Sequence, residues 1–261
     1  NGASVEAIIP ILQDGLKTTS YGTTLYLMAG SNDNSEHIKS ATVAGNNTTG
    51  GWAGNRMRPD LVLKFFPNND APNVAAYAMP AAADDDRALF DGEGRNVSNG
   101  DDEKGVKVFT NGFSVCKFNN FKTDGSAGHN SLFPDADFFL MRAAEAYLMY
   151  AEADARQNNG TTTAQGTAYI NALRTRANAT TQTAYSLRQI CDEWSREFYF
   201  EGLRRTTLIR FGYFGGNVNY NWSWKGGVKN GRNFDSHLNL FPIPTSDLVA
   251  NEANLIQNPG Y

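Results

Sequence analysis

Apolar residues recur every three or four positions in the middle of the chain, within the run Phe138–Ala153, which contains neither Gly nor Pro. Residues at this spacing share one face of an α-helix. One apolar face consists of Leu140, Ala144, Tyr147 and Ala151, a second of Met141, Leu148 and Ala155, and the polar stripe of Arg142, Glu145, Glu152 and Arg156. The pattern predicts a helix from Asp137 that is covered on most sides, with Asp135 or Asp137 as its cap. Glu152 and Arg156, four positions apart, are expected to pair on its exposed turn.

Three further helical segments follow this run. They are Thr167–Ala177, a helix that begins at Ser186, and Leu203–Phe211 between Gly202 and Gly212. Ser186 and Gln189 form a capping-box pattern, which marks a helix start. Alanine-rich helix pairs joined by a Gly-containing turn are typical of tetratricopeptide-like hairpins. Two pairs are fewer than the roughly three repeats that a self-sufficient solenoid needs, so the helical block is expected to lean on something outside this chain.

The first 134 residues predict irregular structure, with no long helix before about Pro134. Segments such as Gly30–Ser35, Ala44–Gly51 and Asn68–Asn73 combine Gly, Asn, Asp and Pro, each of which favours turns for its own physical reason. The sequence therefore predicts three regions of one domain: loop-rich residues 1–134, a tetratricopeptide-like helical block at 135–212, and C-terminal loops at 213–261.

The C-terminal region carries its own turn signals. Pro242 and Pro244 favour an extended segment, and Thr245 is expected to cap a short turn over Ser246–Ala250. Asn258–Tyr261 suits a type II turn, because Pro lies at its second position and Gly at its third.

Composition narrows the function classes. The 261 residues include 23 basic and 27 acidic side chains, a formal charge of −4, and 41% hydrophobic residues. This balance supports a folded core but lacks the basic excess that nucleic acid attracts. No run approaches the ~20 apolar residues that cross a bilayer. Cys116 and Cys191 are too few for a disulfide framework and are expected to be free.

Aromatic residues lie among the polar loops. They are Tyr21, Tyr26, Trp52, Tyr77, Tyr213, Tyr220, Trp222 and Trp224. An exposed ring beside Asn, Asp, Arg and Gly suits a sugar, because the ring face packs on pyranose C–H groups while its neighbours bond the hydroxyls. The alternative interpretation is that these rings anchor loops on the core. Both interpretations remain open from the residues alone.

No arrangement of catalytic residues emerges from the sequence. Asp84–Asp86 and Asp101–Glu103 lie within loops, where neighbouring side chains diverge, so they fit turns, solvation or calcium-type ligands better than a facing glycosidase pair. His37, His129 and His237 lack the spacing of a zinc site. Nucleophile-elbow, P-loop and dinucleotide fingerprints are missing. The sequence predicts no catalysis and no cofactor, and leaves a structural calcium ion open.

Five ordered stretches resemble motifs of the SusD/RagB family, the surface nutrient-binding lipoproteins of Bacteroidetes outer membranes. They are Leu140–Ala153, Tyr169–Ala177, Arg196–Arg204 with Leu208–Gly212, Leu240–Pro244 and Gln257–Tyr261. Weaker similarity extends to Glu6–Ile9, Asp85–Arg87 and Val115–Phe118. Trp194 and Thr207 depart from the family pattern. The resemblance covers only the later half of a family member.

The resemblance implies a mainly α fold of SusD-like tetratricopeptide-type hairpins with long irregular loops and minor β structure. It implies non-catalytic oligosaccharide binding on the cell-surface face of a bacterial outer membrane, in starch or other polysaccharide utilisation. The implied partners are a SusC-like TonB-dependent transporter and the N-terminal half of the same protein. The implied lipid anchor is an N-terminal Cys that is not present in this chain.

Binding aromatics in the family come from variable loops that correspond here to Tyr21 through about Asp84. Tyr21 and Trp52 are therefore the first candidates, with Asn55 and Arg56 as hydroxyl partners. Trp222 and Trp224 are secondary candidates. The motif residues Arg142, Glu145, Glu201 and Arg204 are expected to be buried and paired, because lone buried charges are costly.

Two other functions compete with glycan binding. One is a RagB-like peptide binder on the same scaffold, and the other is a tetratricopeptide-type module that holds only a protein partner. Exposed stacking rings favour glycan binding, a backbone-lined cleft favours the peptide, and a ring-free concave helical face favours the protein partner.

Overall fold

The computed structural model describes residues 5–22, 24–31, 51–52, 54–97, 108, 110–251 and 254–261. Two compact units divide the chain, residues 1–200 and residues 201–261. Most of the regular elements in both are helices, with two small two-stranded sheets in the first unit. The predicted mainly α fold with minor β structure is confirmed, whereas the three predicted regions stay a prediction.

Short elements make up the first part of unit 1. In chain order they are strand β1 (Ala7–Ile11), helix α1 (Leu25–Ala29), helix α2 (Pro59–Phe65), helix α3 (Met79–Ala83), strand β2 (Phe90–Asp91) and strand β3 (Ser114–Val115). Pro59 suits the start of α2, where its missing N–H has no helical partner. Among the described residues, the prediction of no long helix before about residue 134 is confirmed.

An aromatic core holds these elements together. Strands β2 and β3 pair antiparallel, Phe90 opposite Val115. The Phe90 ring stacks on Phe113 at 5.9 Å between centroids and meets the edge of Phe65 at 5.5 Å. These three rings are buried, and such pairs stabilise a core by about 0.5–1.5 kcal/mol beyond the area that they bury.

The predicted helix start at Asp137 is wrong. Phe138–Arg142 forms strand β4, which pairs antiparallel with β1. Its Phe- and Leu-containing sequence packs well beside the Ile-rich β1. Asp135 and Asp137 are not helix caps, because their carboxylates instead accept hydrogen bonds from the backbone N–H groups of Gly15 at 2.8 Å and Gln13 at 2.7 Å.

Helix α4 (Ala143–Gln157) begins where this strand ends. It buries Ala144, Leu148, Ala151, Glu152 and Ala155 on one side. The opposite side is exposed at Tyr147, Met149 and Tyr150, so the predicted cover on most sides is wrong for the described structure. The predicted polar stripe is also wrong, since Arg142 and Glu152 are buried.

Helices α5 (Ala164–Arg176) and α6 (Leu187–Phe198) both pack on α4. The predicted Thr167–Ala177 thus begins three residues late. Ser186 caps α6, and the predicted capping box with Gln189 is confirmed. Helix α6 ends at Phe198, and Gly202 adopts a left-handed conformation at φ 83° before the next helix. Glu152 and Arg156 form the predicted pair at 3.0 Å, although Glu152 is buried rather than exposed.

A buried ion network ties α6 to the rest of unit 1. Glu193 and Glu197 are its carboxylate centres, and the Arg87 Nη1 lies 2.7 Å from Glu193 and 3.0 Å from Glu197. Arg142 and Arg176 also bind Glu197, at 2.5 and 2.6 Å. Burial alone would raise the pKa of each carboxyl group, but the surrounding arginines lower both pKa values to about 2. The expected pairing of Arg142 is confirmed.

Unit 2 contains helix α7 (Arg204–Arg210), 3-10 turns at Lys225–Gly227 and Ser236–Asn239, and helix α8 (Thr245–Ala250). Thr245 is the first residue of α8 rather than its cap, because the cap position belongs to Pro244. The predicted type II turn is confirmed: Tyr261 N donates to Asn258 O, and Gly260 has φ 96°. Glu201 and Arg204 are half-buried rather than buried.

Three further predictions concern the cysteines, Glu145 and membrane-spanning helices. Cys116 and Cys191 are free and buried. In unit 1, Glu145 is half-buried. Among the described helices, none has the length and hydropathy that a membrane span requires.

Candidate functional site

Two exposed rings, Tyr26 and Trp52, lie side by side on unit 1. Their centroids are 5.7 Å apart, with the ring planes tilted by 57°. Tyr26 is 59% exposed and Trp52 is 50% exposed. We call these two residues the ring pair. Two adjacent half-open aromatic faces can pack against the C–H face of a sugar.

Helix α1 orients one ring of the pair. Leu25, Met28 and Ala29 are buried, so Tyr26 lies on the solvent side of this five-residue helix. The backbone N–H of Trp52 donates to the carbonyl of Ala29 at 2.7 Å. This bond brings the Trp52 backbone to the C-terminal end of α1.

Gly30 makes a second contact between the end of α1 and the segment that carries Trp52. The backbone N–H of Asn55 donates to the Gly30 carbonyl at 2.7 Å. A Cβ atom at Gly30 would lie 2.6 Å from Asn55 Nδ2 and 2.7 Å from the Tyr26 carbonyl. The close approach therefore requires a residue without a side chain.

The two predicted hydroxyl partners have different positions. Asn55 is half-buried, and its amide lies against Gly30 beside the ring pair. The Arg56 guanidinium instead donates from Nη1 to the backbone carbonyls of Val108 and Asn111. Burial, with Arg95 and Arg58 nearby, lowers the pKa of Arg56. Arg56 thus positions the chain segment after Trp52.

Tyr21 belongs to a different aromatic contact. It is 63% exposed, and its ring meets Phe133 edge-on at 5.5 Å. Tyr21 and Trp52 were the first predicted binding aromatics, whereas the ring that contacts Trp52 in the structure is Tyr26. Tyr26 is one of the loop aromatics, but the sequence does not single it out as a candidate. Its signal was a polar-tipped ring within the otherwise apolar run Leu25–Ala29.

Trp222 and Trp224 lie in unit 2. Trp222 is half-buried against Phe214 and Phe234, each 6.2 Å away between centroids. The Lys225 Nζ lies 4.6 Å from the Trp222 ring centroid, and Lys225 is itself buried. Trp224 is half-buried at a left-handed turn with φ 65°. These contacts favour an anchoring role for Trp222.

One cluster of side chains has the donor types of a cation site. One ligand atom from each of Asp14, His129 and Asp135 lies within 4.8 Å of the other two. The Asp135 carboxylate already accepts from Gly15 N at 2.8 Å and contacts His129 Nδ1 at 2.9 Å. Although partial burial opposes ionisation, the hydrogen bonds with His129 and Gly15 lower the pKa of Asp135. Its oxygens therefore serve the local fold.

The side chains of the acidic run Asp84–Asp86 point to different partners, as those of adjacent loop residues usually do. Asp84 accepts from Thr180, Asp85 pairs with Arg87, and Asp86 accepts from Asn178. Asp101–Glu103 and His37 lie outside the described residues. The side chains of Asp84–Asp86 thus serve three separate contacts.

Comparison with known proteins identifies the relatives of this chain. A family model described as SusD family matches residues 89–261. The starch-binding protein SusD of Bacteroides thetaiotaomicron is 39% identical over 290 residues, which cover 99% of this chain and 50% of that protein. This chain therefore spans about half the length of that relative.

Solved structures agree on the fold. A SusD-like protein from Bacteroides fragilis superposes with a TM-score of 0.61 at 18% identity, covering 100% of this chain and 55% of that chain. Surface glycan-binding protein A from Bacteroides thetaiotaomicron gives a TM-score of 0.59 at 21% identity, covering 98% and 52%. The same protein in complex with laminarihexaose gives 0.58, with the same identity and coverage.

Proposed function

Because this chain belongs to the SusD family, we propose that it is a non-catalytic glycan-binding protein that captures neutral oligosaccharides on the ring pair. The observation that carries this proposal is the contact between Tyr26 and Trp52, both at least half exposed. Similar proteins are named as starch-binding and glycan-binding, which supports the same ligand class here.

The other candidate residues have separate roles in this proposal. Asn55, beside Gly30, bonds sugar hydroxyls next to the rings, because an amide supplies both donors and an acceptor. Arg56 holds the segment through backbone carbonyls. Tyr21 extends the surface for a longer chain. Trp222 packs on Phe214 and Phe234 and anchors its own segment of unit 2; neither it nor Trp224 is assigned to the ring pair.

The exposed ring pair separates glycan binding from the two alternatives. A peptide ligand would be expected to use backbone groups in a cleft, and a protein-only module would need no exposed sugar platform. A glycan array followed by calorimetry on this chain tests the proposal. We expect binding to neutral oligosaccharides in the array, whereas a chain that binds peptides and no glycan would support the RagB-like alternative.

Delivery to a SusC-like TonB-dependent transporter at the outer-membrane surface is the second part of the proposal. It rests on family membership, with lipid anchoring supplied by a Cys outside these 261 residues. Co-purification of the full lipoprotein with its transporter tests it. A lipoprotein that separates cleanly from the transporter in mild detergent would argue against delivery by direct contact.

The third part concerns an apolar surface of unit 1. Its exposed residues come from β1 and the residue after it, from β4 and from the outer side of α4; they are Ile8, Ile9, Ile11, Leu12, Leu140, Met141, Tyr147, Met149 and Tyr150. We call them the apolar face. Exposed apolar residues grouped on neighbouring elements are typical of an interface.

The occupant that we propose for the apolar face is the N-terminal half of a SusD-family chain. This chain corresponds to 50% of the starch-binding relative, so half of that relative's length has no counterpart here. Helix pairs of this kind bury their apolar sides by stacking on neighbouring pairs. Further helical repeats would therefore cover the face.

A further inference from the structure

Unit 1 contains a groove of about 280 Å³ that shares no lining residue with the ring pair. Four segments form its walls: the end of α2, the turn after α3, the loop between α5 and α6, and one side of α6. The lining residues include Lys64, Phe65, Asp84, Thr180, Gln182 and Gln189. Its volume is close to the lower limit of about 300 Å³ for pockets that hold small molecules.

The charges around the groove cancel. Three cations line it, Lys64, Arg174 and Arg196, together with the carboxylates Asp84, Asp85 and Asp192. Lys64 pairs with Asp192 at 2.7 Å, and both arginines bind Glu193, at 2.8 and 2.7 Å. A lining with paired and balanced charges favours neither an anion nor a cation, so a neutral ligand fits it best.

Hydrogen-bonding groups that a ligand can reach lie in the lining. The Thr180 hydroxyl donates to Asp84 Oδ2 at 3.2 Å, and Gln189 Nε2 donates to Gln182 Oε1 at 2.9 Å. Thr180, Gln182 and Asp84 are exposed. A hydroxyl both donates and accepts, so it can exchange with such contacts without leaving either partner unpaired. Phe65 adds an apolar wall.

We propose that this groove is a second saccharide-binding site, which takes one or two sugar rings and acts independently of the ring pair. The proposal rests on the proposed glycan-binding function and extends it to a second position. The volume limits the ligand to a disaccharide or to the end of a longer glycan, whereas the open ring pair can contact the middle of a chain.

Saturation-transfer NMR with maltose and laminaribiose tests the second site. The background is the double variant Tyr26→Ala/Trp52→Ala, in which the ring pair is removed. We expect this double variant to keep a disaccharide signal. Adding Thr180→Trp, which fills the groove from an exposed position, should abolish the signal, whereas adding Thr180→Ser should keep it.

Gln182→Ala provides a milder variant on an exposed side chain, and it should reduce the signal at least twofold without lowering the melting temperature. Loss of all signal in the Tyr26→Ala/Trp52→Ala background would overturn the proposed second site, but it would not contradict glycan binding at the ring pair. A signal that survives Thr180→Trp would overturn it as well. A wild-type chain that binds no oligosaccharide would instead overturn the proposed function itself.

Discussion

At the residue scale, the ring pair depends on backbone contacts made by small residues. The Trp52 N–H donates to the Ala29 carbonyl, and the Asn55 N–H donates to the Gly30 carbonyl, so two hydrogen bonds at the end of α1 hold the backbone that carries the indole. The side chain of Tyr26 needs only the helix. Changes that separate these two segments should therefore impair binding without removing either ring.

Gly30→Ala is the sharpest such change. Its new methyl group would lie 2.6 Å from Asn55 Nδ2 and 2.7 Å from the Tyr26 carbonyl, so the Asn55 amide must move and the backbone at the end of α1 must shift. We expect oligosaccharide affinity to fall at least threefold by calorimetry. Gly54→Ala is the matched control, because its nearest neighbour would be 4.0 Å away, and it should bind as the wild type does. Equal affinity of both variants would show that the ring positions do not depend on this contact.

Sequence alone predicted one ring of the pair. The residues alone left an exposed and an anchoring role open for Trp52, and the family resemblance made it a first candidate; in the structure its ring is 50% exposed. The partner ring could not be predicted, because Tyr26 and Trp52 are brought together by a hydrogen bond between segments far apart in sequence. Arg56 shows the same limit: the family resemblance made it a candidate hydroxyl partner, whereas its guanidinium donates to backbone carbonyls of a later loop.

At the element scale, pairing between distant segments determines whether Phe138–Arg142 is a helix or a strand, which local periodicity does not. Helices α5 and α6 were predicted with small errors at their ends, since caps and spacing are local signals. Phe138–Arg142 also fits helical spacing, yet it pairs with β1 more than 120 positions earlier. A single-sequence pattern does not contain that partner, so the helix start was placed too early.

The capping box of α6 gives a local test. Ser186→Ala removes the side-chain acceptor for Gln189 N–H, and we expect the free energy of unfolding to fall by about 1 kcal/mol. Ser186→Thr keeps an acceptor and should lose less. The measurement is denaturant unfolding at neutral pH. Identical loss in the two variants would assign the effect to packing instead of capping.

The ion network predicts a pH dependence of stability. The folded-state pKa of Glu193 is about 2, below its ordinary value of 4.5, so the folded protein gains stability when this group is ionised. That contribution is fully present above about pH 4.5 and is lost as the pH falls toward 2. Denaturant unfolding should therefore show no loss from this group between pH 7 and about pH 5, and a decrease in the free energy of unfolding from about pH 4.5 down to pH 3.

Glu193→Gln tests the source of that dependence. It leaves Arg87, Arg174 and Arg196 without their shared carboxylate, and we expect a loss of about 3–5 kcal/mol at pH 7. The variant should also show a shallower decrease on acidification. Asp247→Asn, on an exposed residue of α8, is the control and should behave as the wild type does. A Glu193→Gln variant with wild-type stability would contradict the structural role of the network.

At the scale of the whole molecule, the apolar face is a group of large apolar side chains that stays exposed in the part of the chain that the structure describes. A fluorescent dye such as anilinonaphthalene sulfonate should bind this chain, and Met149→Lys/Tyr150→Lys should reduce the bound signal at least twofold. Val249→Lys changes an exposed apolar residue outside the face and is the control. Dye binding that is the same in all three chains would contradict a contiguous apolar face.

The same face explains why the sequence predicted a helix α4 that is covered on most sides. Apolar residues on two sides of a helix indicate two neighbours, and only one neighbour is supplied by α5 and α6. The predicted cover on most sides of α4 is therefore wrong for the described residues, because no second neighbour is among the described elements.

The measurement that tests the central claim most directly is calorimetric titration of the wild type and Trp52→Ala with maltohexaose and laminarihexaose. Removing the indole should weaken binding of the recognised glycan by about 1 kcal/mol or more, roughly fivefold in Kd, with the melting temperature unchanged. Tyr77→Ala, whose ring is 64% exposed outside the ring pair, should bind as the wild type does. Unchanged affinity of Trp52→Ala together with a lower melting temperature would contradict the claim and assign Trp52 to packing.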